Sequence, residues 1–377
     1  MTELTDPDVD SIFVGLPSVG APRYRNGSHA GQGIYRKPAG KLPEVALIAT
    51  HYCTDYSEHY LGHALARHGF GFLGWNTRFR GAEDQFLLET AMVDIGQGVK
   101  WLREVAGVKT VVLLGNSGGC SLMAAYQSIA QDKGALFEDA KPDIREALKD
   151  LPLGDLYIAL NGHSGRPEVM TNWMDGSVID EQDPIATDES LNPYNPKNGP
   201  PFSEEFITRY RAAQRARNQR ITDFAKSELA RLNAAGIPDG LFLLHRGMAD
   251  LRFIDGTIDP SDRPVPRCAT GDPEMSNRLS PPLGRVSSFK TWLSMWSLET
   301  SKVHSELHLP NITVPSFVIQ GTHDVSCFLS DTKKIYDLLG STDKSLEIRP
   351  GGHYFDDGPN YIEEVAQSIA DWIKPRV

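Results

Sequence analysis

The chain has few cysteines, no long apolar run and no excess of basic charge, and each shortage excludes a class of protein. Its four cysteines in 377 residues are scattered and form no Cys-x-x-Cys pair, so we expect free thiols in a reducing cytoplasm. No run of 18 apolar residues occurs, so no segment is predicted to span a membrane. The net charge of −11 argues against nucleic acid or an anionic membrane surface as a partner.

Other familiar signals are absent or incomplete. Residues 1–10 are acidic and lack the basic and apolar regions of a secretory leader. The glycines of Gly69–Gly74 superficially resemble a dinucleotide-binding pattern, but they interrupt a predicted strand, so no cofactor is predicted. His59 and His63 have the spacing of a helical zinc site, but no nearby glutamate completes a metalloprotease motif. An ordinary helix face is favoured, and no metal is predicted.

The most informative motif that is present is Gly115-Asn116-Ser117-Gly118-Gly119. It follows the β-branched, apolar run Thr110–Leu114 and precedes the helix-forming segment Leu122–Tyr126. A serine at a sharp turn from a strand into a helix needs small neighbours, because the backbone is strained and closely packed there. The motif therefore predicts a nucleophile elbow with Ser117 at its apex.

With this elbow, the chain resembles the α/β-hydrolase superfamily. The resemblance implies an acid after a late strand and a histidine after the last strand, in that order. The strand-like run Val314–Gln320 leads to Asp324, and the run Ser345–Arg349 leads through two glycines to His353. The resemblance therefore implies a catalytic triad of Ser117, Asp324 and His353.

These residue types suit the implied chemistry. A serine hydroxyl is a poor nucleophile at neutral pH, so a base must take its proton, and a histidine can do this. The aspartate would hold the imidazole in the correct tautomer. Asp331, in the next predicted helix, is the alternative acid.

An oxyanion requires two backbone N–H donors. One is predicted at Gly118, directly after the nucleophile. The resemblance places the other in the loop after the third strand, where His51-Tyr52-Cys53 replaces the glycines that many relatives have, so the donor is Tyr52 or Cys53. The Tyr52 side chain could either contact substrate or simply pack.

The resemblance also implies the fold class. We expect a single α/β-hydrolase domain with a mostly parallel central sheet flanked by helices. Residues 1–160 and 311–377 would form its core, and residues 161–310, called the insertion below, would form a mainly helical lid after the sixth strand.

Within the insertion, a proline- and acid-rich loop is predicted over residues 180–201. A long helix follows, with Ser203 as its N-cap and Gly236 just past its end. Leu241–Leu244 and Leu251–Ile254 could form a small hairpin. A second long helix is predicted from about Arg285 to Leu307, because its apolar residues form a single stripe.

The insertion contains five of the eight methionines and three of the six tryptophans. Such side chains above a serine nucleophile would suit a bulky apolar group, so Trp173, Trp292 and Trp296 are predicted to line the substrate pocket. The same stripe would also be explained by packing inside the insertion.

The sequence thus predicts a serine hydrolase that cleaves a small-molecule carboxylic ester, with a bulky apolar acyl or alcohol group, through an acyl-enzyme. A thioesterase, amidase, lactonase, carbon–carbon bond hydrolase or acyltransferase would use the same triad. A non-catalytic protein that binds a ligand on the same fold is the alternative of a different class. The sequence leaves the oligomeric state open.

Overall fold

A single eight-stranded sheet organises the chain. The computed structural model describes residues 6–279 and 283–377, so the first five residues of the acidic N-terminal stretch lie outside it. The strand order is β1-β2-β4-β3-β5-β6-β9-β10, and the strands from β4 onward pair in parallel, whereas β2 pairs antiparallel with both β1 and β4. The eight strands are β1 Val9–Leu16, β2 Gly31–Pro38, β3 Val45–Ala49, β4 Gly71–Asn76, β5 Thr110–Ser117, β6 Leu156–Gly162, β9 Ser316–Gly321 and β10 Lys344–Arg349.

The helices lie between and around these strands. In chain order they are α1 Arg23–Asn26, α2 Leu61–Arg67, α3 Leu88–Glu104, α4 Gly119–Gln131, α5 Pro142–Leu148, α6 Arg166–Trp173, α7 Glu204–Ala234, α8 Pro273–Arg278, α9 Phe289–Thr291, α10 Ser305–His308, α11 Leu329–Leu338 and α12 Tyr361–Ile373. Two short strands of the insertion, β7 Leu241–Leu243 and β8 Val286–Ser288, form a separate antiparallel pair. No helix of the described residues is both long enough and apolar enough to cross a bilayer.

Apolar side chains cover both faces of the sheet. The middle strands β4 and β6 are buried at every position, as expected for parallel strands enclosed by helices on both sides. Helices α3 and α4 contribute to the core on one face, and α2 and α12 contribute to the core on the other. The predicted fold class, a mostly parallel sheet flanked by helices with an insertion after the sixth strand, is confirmed.

The insertion joins the core of the sheet and also has a core of its own. Met170, Ile221 and Trp292 belong to the same apolar cluster as the sheet residues on the α3–α4 face. Phe206 and Tyr210 belong to a separate cluster formed mainly within the insertion. The boundaries predicted for the insertion stay a prediction, although β6 runs two residues into it.

The long helix of the insertion, α7, matches its prediction. The Ser203 hydroxyl accepts a hydrogen bond from the Phe206 N–H, so Ser203 is the N-cap, and the helix ends at Ala234. Residues 180–201 contain turns and neither helix nor strand, as predicted.

Three other local predictions are wrong. Leu241–Leu243 pairs with Val286–Ser288, and Leu251–Phe253 forms a turn of 3₁₀ helix, so the two segments form no hairpin. The segment predicted as one long helix contains β8, a three-residue helix and the π-helical turn Trp292–Trp296. His59 precedes helix α2, so it does not share a helix face with His63.

Candidate active site

Ser117 ends strand β5 at a sharp turn into helix α4. Its φ of 57° lies in the left-handed region, which costs energy for a residue other than glycine. A Cβ at Gly115 would lie 2.4 Å from the Cys120 Cα, and one at Gly119 would lie 2.5 Å from the Thr50 carbonyl oxygen. Only glycine fits these two positions, so the turn has the strained geometry that the motif predicts.

Asp324 and His353 lie at the same end of the sheet and are hydrogen bonded to each other. The His353 Nδ1 lies 2.8 Å from the Asp324 Oδ2, in the loops that follow β9 and β10. The Asp324 side chain is completely buried, and its Oδ1 accepts from the N–H groups of Ser326 at 2.7 Å and Cys327 at 3.0 Å. These bonds fix the carboxylate, which in turn fixes the imidazole ring.

A buried asparagine that the sequence did not indicate holds the two loops together. Asn161 has a φ of 45° and lies at an irregularity in the pairing of β5 with β6. Its side chain accepts from the Gly321 N–H at 2.8 Å and donates to the carbonyls of Gly352 at 3.2 Å and His353 at 3.0 Å. β-Bulges next to active sites commonly redirect a side chain in this way.

The alternative acid and the other nearby histidines have different partners. Asp331 accepts hydrogen bonds from Ser164 and Arg252, so its carboxylate links helix α11 to the insertion. His51 and His163 are buried, and burial, together with the positive charge of Arg166, lowers the pKa of each ring well below its usual value. Among the three histidines that line the cavity beside Ser117, His353 is the one bonded to a carboxylate.

Two cavities meet at Ser117. The first, of about 480 Å³, is lined by residues that include His353, Arg166 and Trp173. The second, of about 380 Å³, extends toward His59 and Tyr60. An ester has an acyl part and an alcohol part on opposite sides of the reacting carbonyl, so two adjoining cavities could hold one part each.

The predicted oxyanion donors lie in the segments that follow strands β3 and β5. Tyr52 and Cys53 follow β3, and Gly118 is the first residue after the nucleophile. The N–H groups of these three residues donate to no acceptor in the described part of the chain. The Tyr52 side chain is fully buried, and its hydroxyl is paired with the Ser121 hydroxyl at 2.8 Å, so this side chain packs instead of facing substrate.

The three tryptophans predicted to line the substrate pocket have different surroundings in the structure. Trp173 lines the first cavity. Trp292 is fully buried and donates to the Thr222 hydroxyl, away from the cavity. Trp296 is also fully buried, and its ring lies 5.5 Å from the Arg166 guanidinium carbon.

Arg166 lines the first cavity, although the sequence did not predict it as a site residue. It begins helix α6, just beyond the carboxyl end of β6, and its side chain reaches the backbone of Gly118. Ligands of open α/β sheets bind at the carboxyl ends of strands, so its position after β6 was an available signal.

One group of metal-ligating atoms occurs in the described residues, and it overlaps the acid–base pair. Ligand atoms of Asp324, Cys327 and His353 lie within 4.8 Å of one another. Burial raises the pKa of the Cys327 thiol well above its usual value, which opposes the thiolate that a metal requires. The Asp324 Oδ2 and the His353 Nδ1 are already hydrogen bonded to each other, so these two atoms are not free to bind a metal.

Comparisons with known proteins give similarity to solved structures only. No protein-family description and no curated protein matches the chain. The esterase domain of a Rhodothermus marinus protein is 10% identical with a TM-score of 0.48, and the two chains are covered to 97% and 98%. The alpha/beta hydrolase GrgF from Penicillium sp. sh18 is 14% identical with a TM-score of 0.49 and coverage of 97% and 98%. Similarity this distant carries no argument about activity, and the fold class follows from the strand order itself.

Proposed function

We propose that the protein is a serine hydrolase that cleaves a carboxylic ester through an acyl-enzyme on Ser117. The observation that carries the proposal is the 2.8 Å bond between Asp324 and His353, on the same cavity as a serine held at a strained elbow. A protein that only bound a ligand would not need a buried carboxylate fixed against a histidine beside such a serine.

In the proposed reaction, the Ser117 Oγ attacks the ester carbonyl carbon while His353 takes the hydroxyl proton at its free nitrogen, Nε2. Asp324 keeps the other ring nitrogen protonated and stabilises the imidazolium. The carbonyl oxygen becomes an oxyanion, for which the N–H of Gly118 and that of Tyr52 or Cys53 are the proposed donors. His353 then gives its proton to the leaving alcohol, and water repeats the sequence to release the acid.

The two cavities at Ser117 support a substrate with a group on each side of its reacting carbonyl. The first cavity is lined by apolar side chains, among them Trp173, Leu283 and Val325, as well as by polar and charged ones. A bulky apolar group in this cavity would therefore contact polar side chains as well as apolar ones. The proposed chemistry requires no cofactor.

The test combines covalent labelling with turnover. Mass spectrometry after treatment with a fluorophosphonate should find one adduct, on Ser117, and p-nitrophenyl esters of graded acyl length should be hydrolysed. Ser117→Ala should abolish the adduct and lower kcat by on the order of 10⁶-fold.

Ser326→Ala is the matched control, because Ser326 lines the same cavity and binds Asp324 through its backbone N–H, which the substitution keeps. It should retain the adduct and most of the turnover. Near-normal turnover in Ser117→Ala, or labelling of another residue, would refute the assignment of the nucleophile.

A further inference from the structure

The Arg166 guanidinium is a buried positive charge in the first cavity, and its surroundings leave it largely unpaired. The residue is 1% exposed. In the described residues, the only hydrogen-bond acceptor of the guanidinium is the His51 ring, with the Nη2 at 2.9 Å from the His51 Nε2. The Arg166 Nε is buried and has no acceptor.

Other arginines with buried side chains donate to oxygen atoms, although the Nε of Arg36 and that of Arg263 also lack an acceptor among the described residues. Arg217 is paired with Glu181 at 2.8 Å, Arg252 with Asp250 at 2.8 Å and Arg78 with Asp94 at 2.7 Å. Arg263 has no such carboxylate but donates to backbone carbonyls, including that of Ile258. Arg166 differs from all four, because it has neither a carboxylate within 4.0 Å among the described residues nor a carbonyl acceptor.

The groups around Arg166 do not cancel its charge. Its guanidinium carbon lies 4.5 Å from the centre of the Tyr52 ring, which gives only the partial compensation of a cation–π contact. The nearby Glu83 carboxylate accepts from the Gly284 N–H at 2.8 Å and, among the described residues, forms no ion pair with Arg166 within 4.0 Å. Glu168, on the same helix, is held by His304 at 2.6 Å.

The guanidinium also lies close to the reacting atoms. A Cβ at Gly118 would be 2.6 Å from the Arg166 Nη2, so the absence of a side chain at this position lets the guanidinium approach the elbow. Arg166 lines the first cavity together with Ser117 and His353 but does not line the second. The other charged side chains of that lining are the exposed Arg267 and Asp356.

We propose that Arg166 binds a carboxylate of the substrate, so that the enzyme acts on half-esters of short dicarboxylic acids with the free carboxylate held in the first cavity. An arginine matches a carboxylate with parallel N–H donors, and the Arg166 guanidinium lines the first cavity without a carboxylate partner among the described residues. This inference rests on the proposed ester hydrolysis. It adds a substrate class to it, because a group bound beside Gly118 can be only a few bonds from the reacting carbonyl.

The test is the preference between two substrates of nearly identical shape. Monoethyl glutarate and ethyl glutaramate differ only in a terminal carboxylate or amide, and ethanol release measures both. The wild-type enzyme should favour the carboxylate in kcat/KM by on the order of 10²-fold, the amount typical of a hydrogen bond to a charged group. Half-esters of malonate, succinate and adipate would then give the preferred distance between the carboxylate and the ester.

Two variants show whether the preference comes from Arg166. Arg166→Met should remove it, whereas Arg166→Lys should keep part of it, because lysine retains the charge without the fork of donors. Arg267→Met makes the same change at the exposed rim of the cavity and should leave the preference largely intact. A wild-type preference near one, or equal losses on both substrates in Arg166→Met, would overturn the proposal. Equal losses would assign Arg166 to the oxyanion instead.

Binding without turnover separates this proposal from the proposed function. Ser117→Ala titrated with glutarate and with glutaramide in a calorimeter should bind the dicarboxylate, and Ser117→Ala/Arg166→Met should not. Carboxylate binding without any ester hydrolysis would refute the reaction but keep the anion site. Hydrolysis with no difference between the two ligands would refute the anion site and keep the reaction.

Discussion

The carboxyl edge of the sheet and the insertion both contribute to the cavity, but they are built in different ways. Strands β4 and β6 consist of continuous buried runs, and the candidate triad residues lie at the end of β5 and in the loops after β9 and β10. The insertion instead buries many polar side chains. Among them are Asp175, Gln214, Arg217, Asn218, Asp250 and Asn277.

These buried polar groups are satisfied by partners far away in the sequence. Arg217 of α7 binds Glu181 and the carbonyls of Asp175, His245 and Arg246. Asn218, the next residue, donates to the Trp296 carbonyl. Arg217 therefore connects α7 to two other segments of the insertion, around residues 175–181 and 245–246.

The sheet should provide the catalytic groups, and substitution of the candidate acid tests this. Asp324→Asn should lower kcat by about 10⁴-fold, because an amide presents the imidazole in the wrong tautomer. Steady-state kinetics on the preferred ester would measure it. The control is Asp331→Asn, whose carboxylate binds Arg252 instead of His353. A larger loss of kcat in the control would transfer the role of the acid to Asp331.

The insertion should owe its fold to buried polar contacts, which Arg217→Met tests. Removing this side chain takes one donor from Glu181 and one from each of three carbonyls, so the free energy of unfolding should fall by about 3–5 kcal/mol. Urea denaturation would measure the loss. Arg220→Met is the matched control, because Arg220 contacts the same Glu181 at 3.4 Å but its side chain is 47% exposed.

The control should cost less than about 1 kcal/mol, as is usual for an exposed ion pair. Equal losses in the two variants would mean that the buried network is no more important to the insertion than its surface contacts.

The smallest expected effect concerns pH and applies to buried histidines in both regions. Burial lowers the pKa of His308, at the end of the insertion, to about 4, and that of His59, beside the elbow, to about 3. Because the folded protein resists protonation of these rings, their contribution to stability is present above the unfolded pKa near 6.5 and is lost as the pH falls.

Between pH 7.5 and 5.5, one such histidine should account for a loss of roughly 1.3 kcal/mol in the free energy of unfolding. His308→Gln should reduce the acid-induced loss by that amount, measured by urea denaturation at the two pH values. His29→Gln, at an exposed histidine, should leave the loss unchanged. An unaltered loss in His308→Gln would mean that this ring is protonated in the folded protein.

The contrast between the two regions also explains how much of the fold and of the candidate site could be predicted from the sequence. The β-branched run before Ser117, the glycines around it and the strand-like runs before Asp324 and His353 are local patterns, and the structure brings the last two residues within hydrogen-bond distance. The failed helix from Arg285 to Leu307 was also a local inference. Its apolar residues lie in a short strand, a three-residue helix and a π-helical turn instead, because tertiary packing determined the backbone conformation there.

The sequence by itself indicated the long helix α7 and the turn at Ser117, since each depends on residues close together in the chain, whereas the mostly parallel sheet and the candidate triad followed from the resemblance to a known superfamily. Only the tertiary structure decided that Asn161 connects the loops of Asp324 and His353, and that Arg166 lies against Gly118 with no carboxylate partner among the described residues. The reason is physical. An asparagine or an arginine is suited to many environments. Its structural role depends on whether the fold places oxygen atoms from distant parts of the chain beside it.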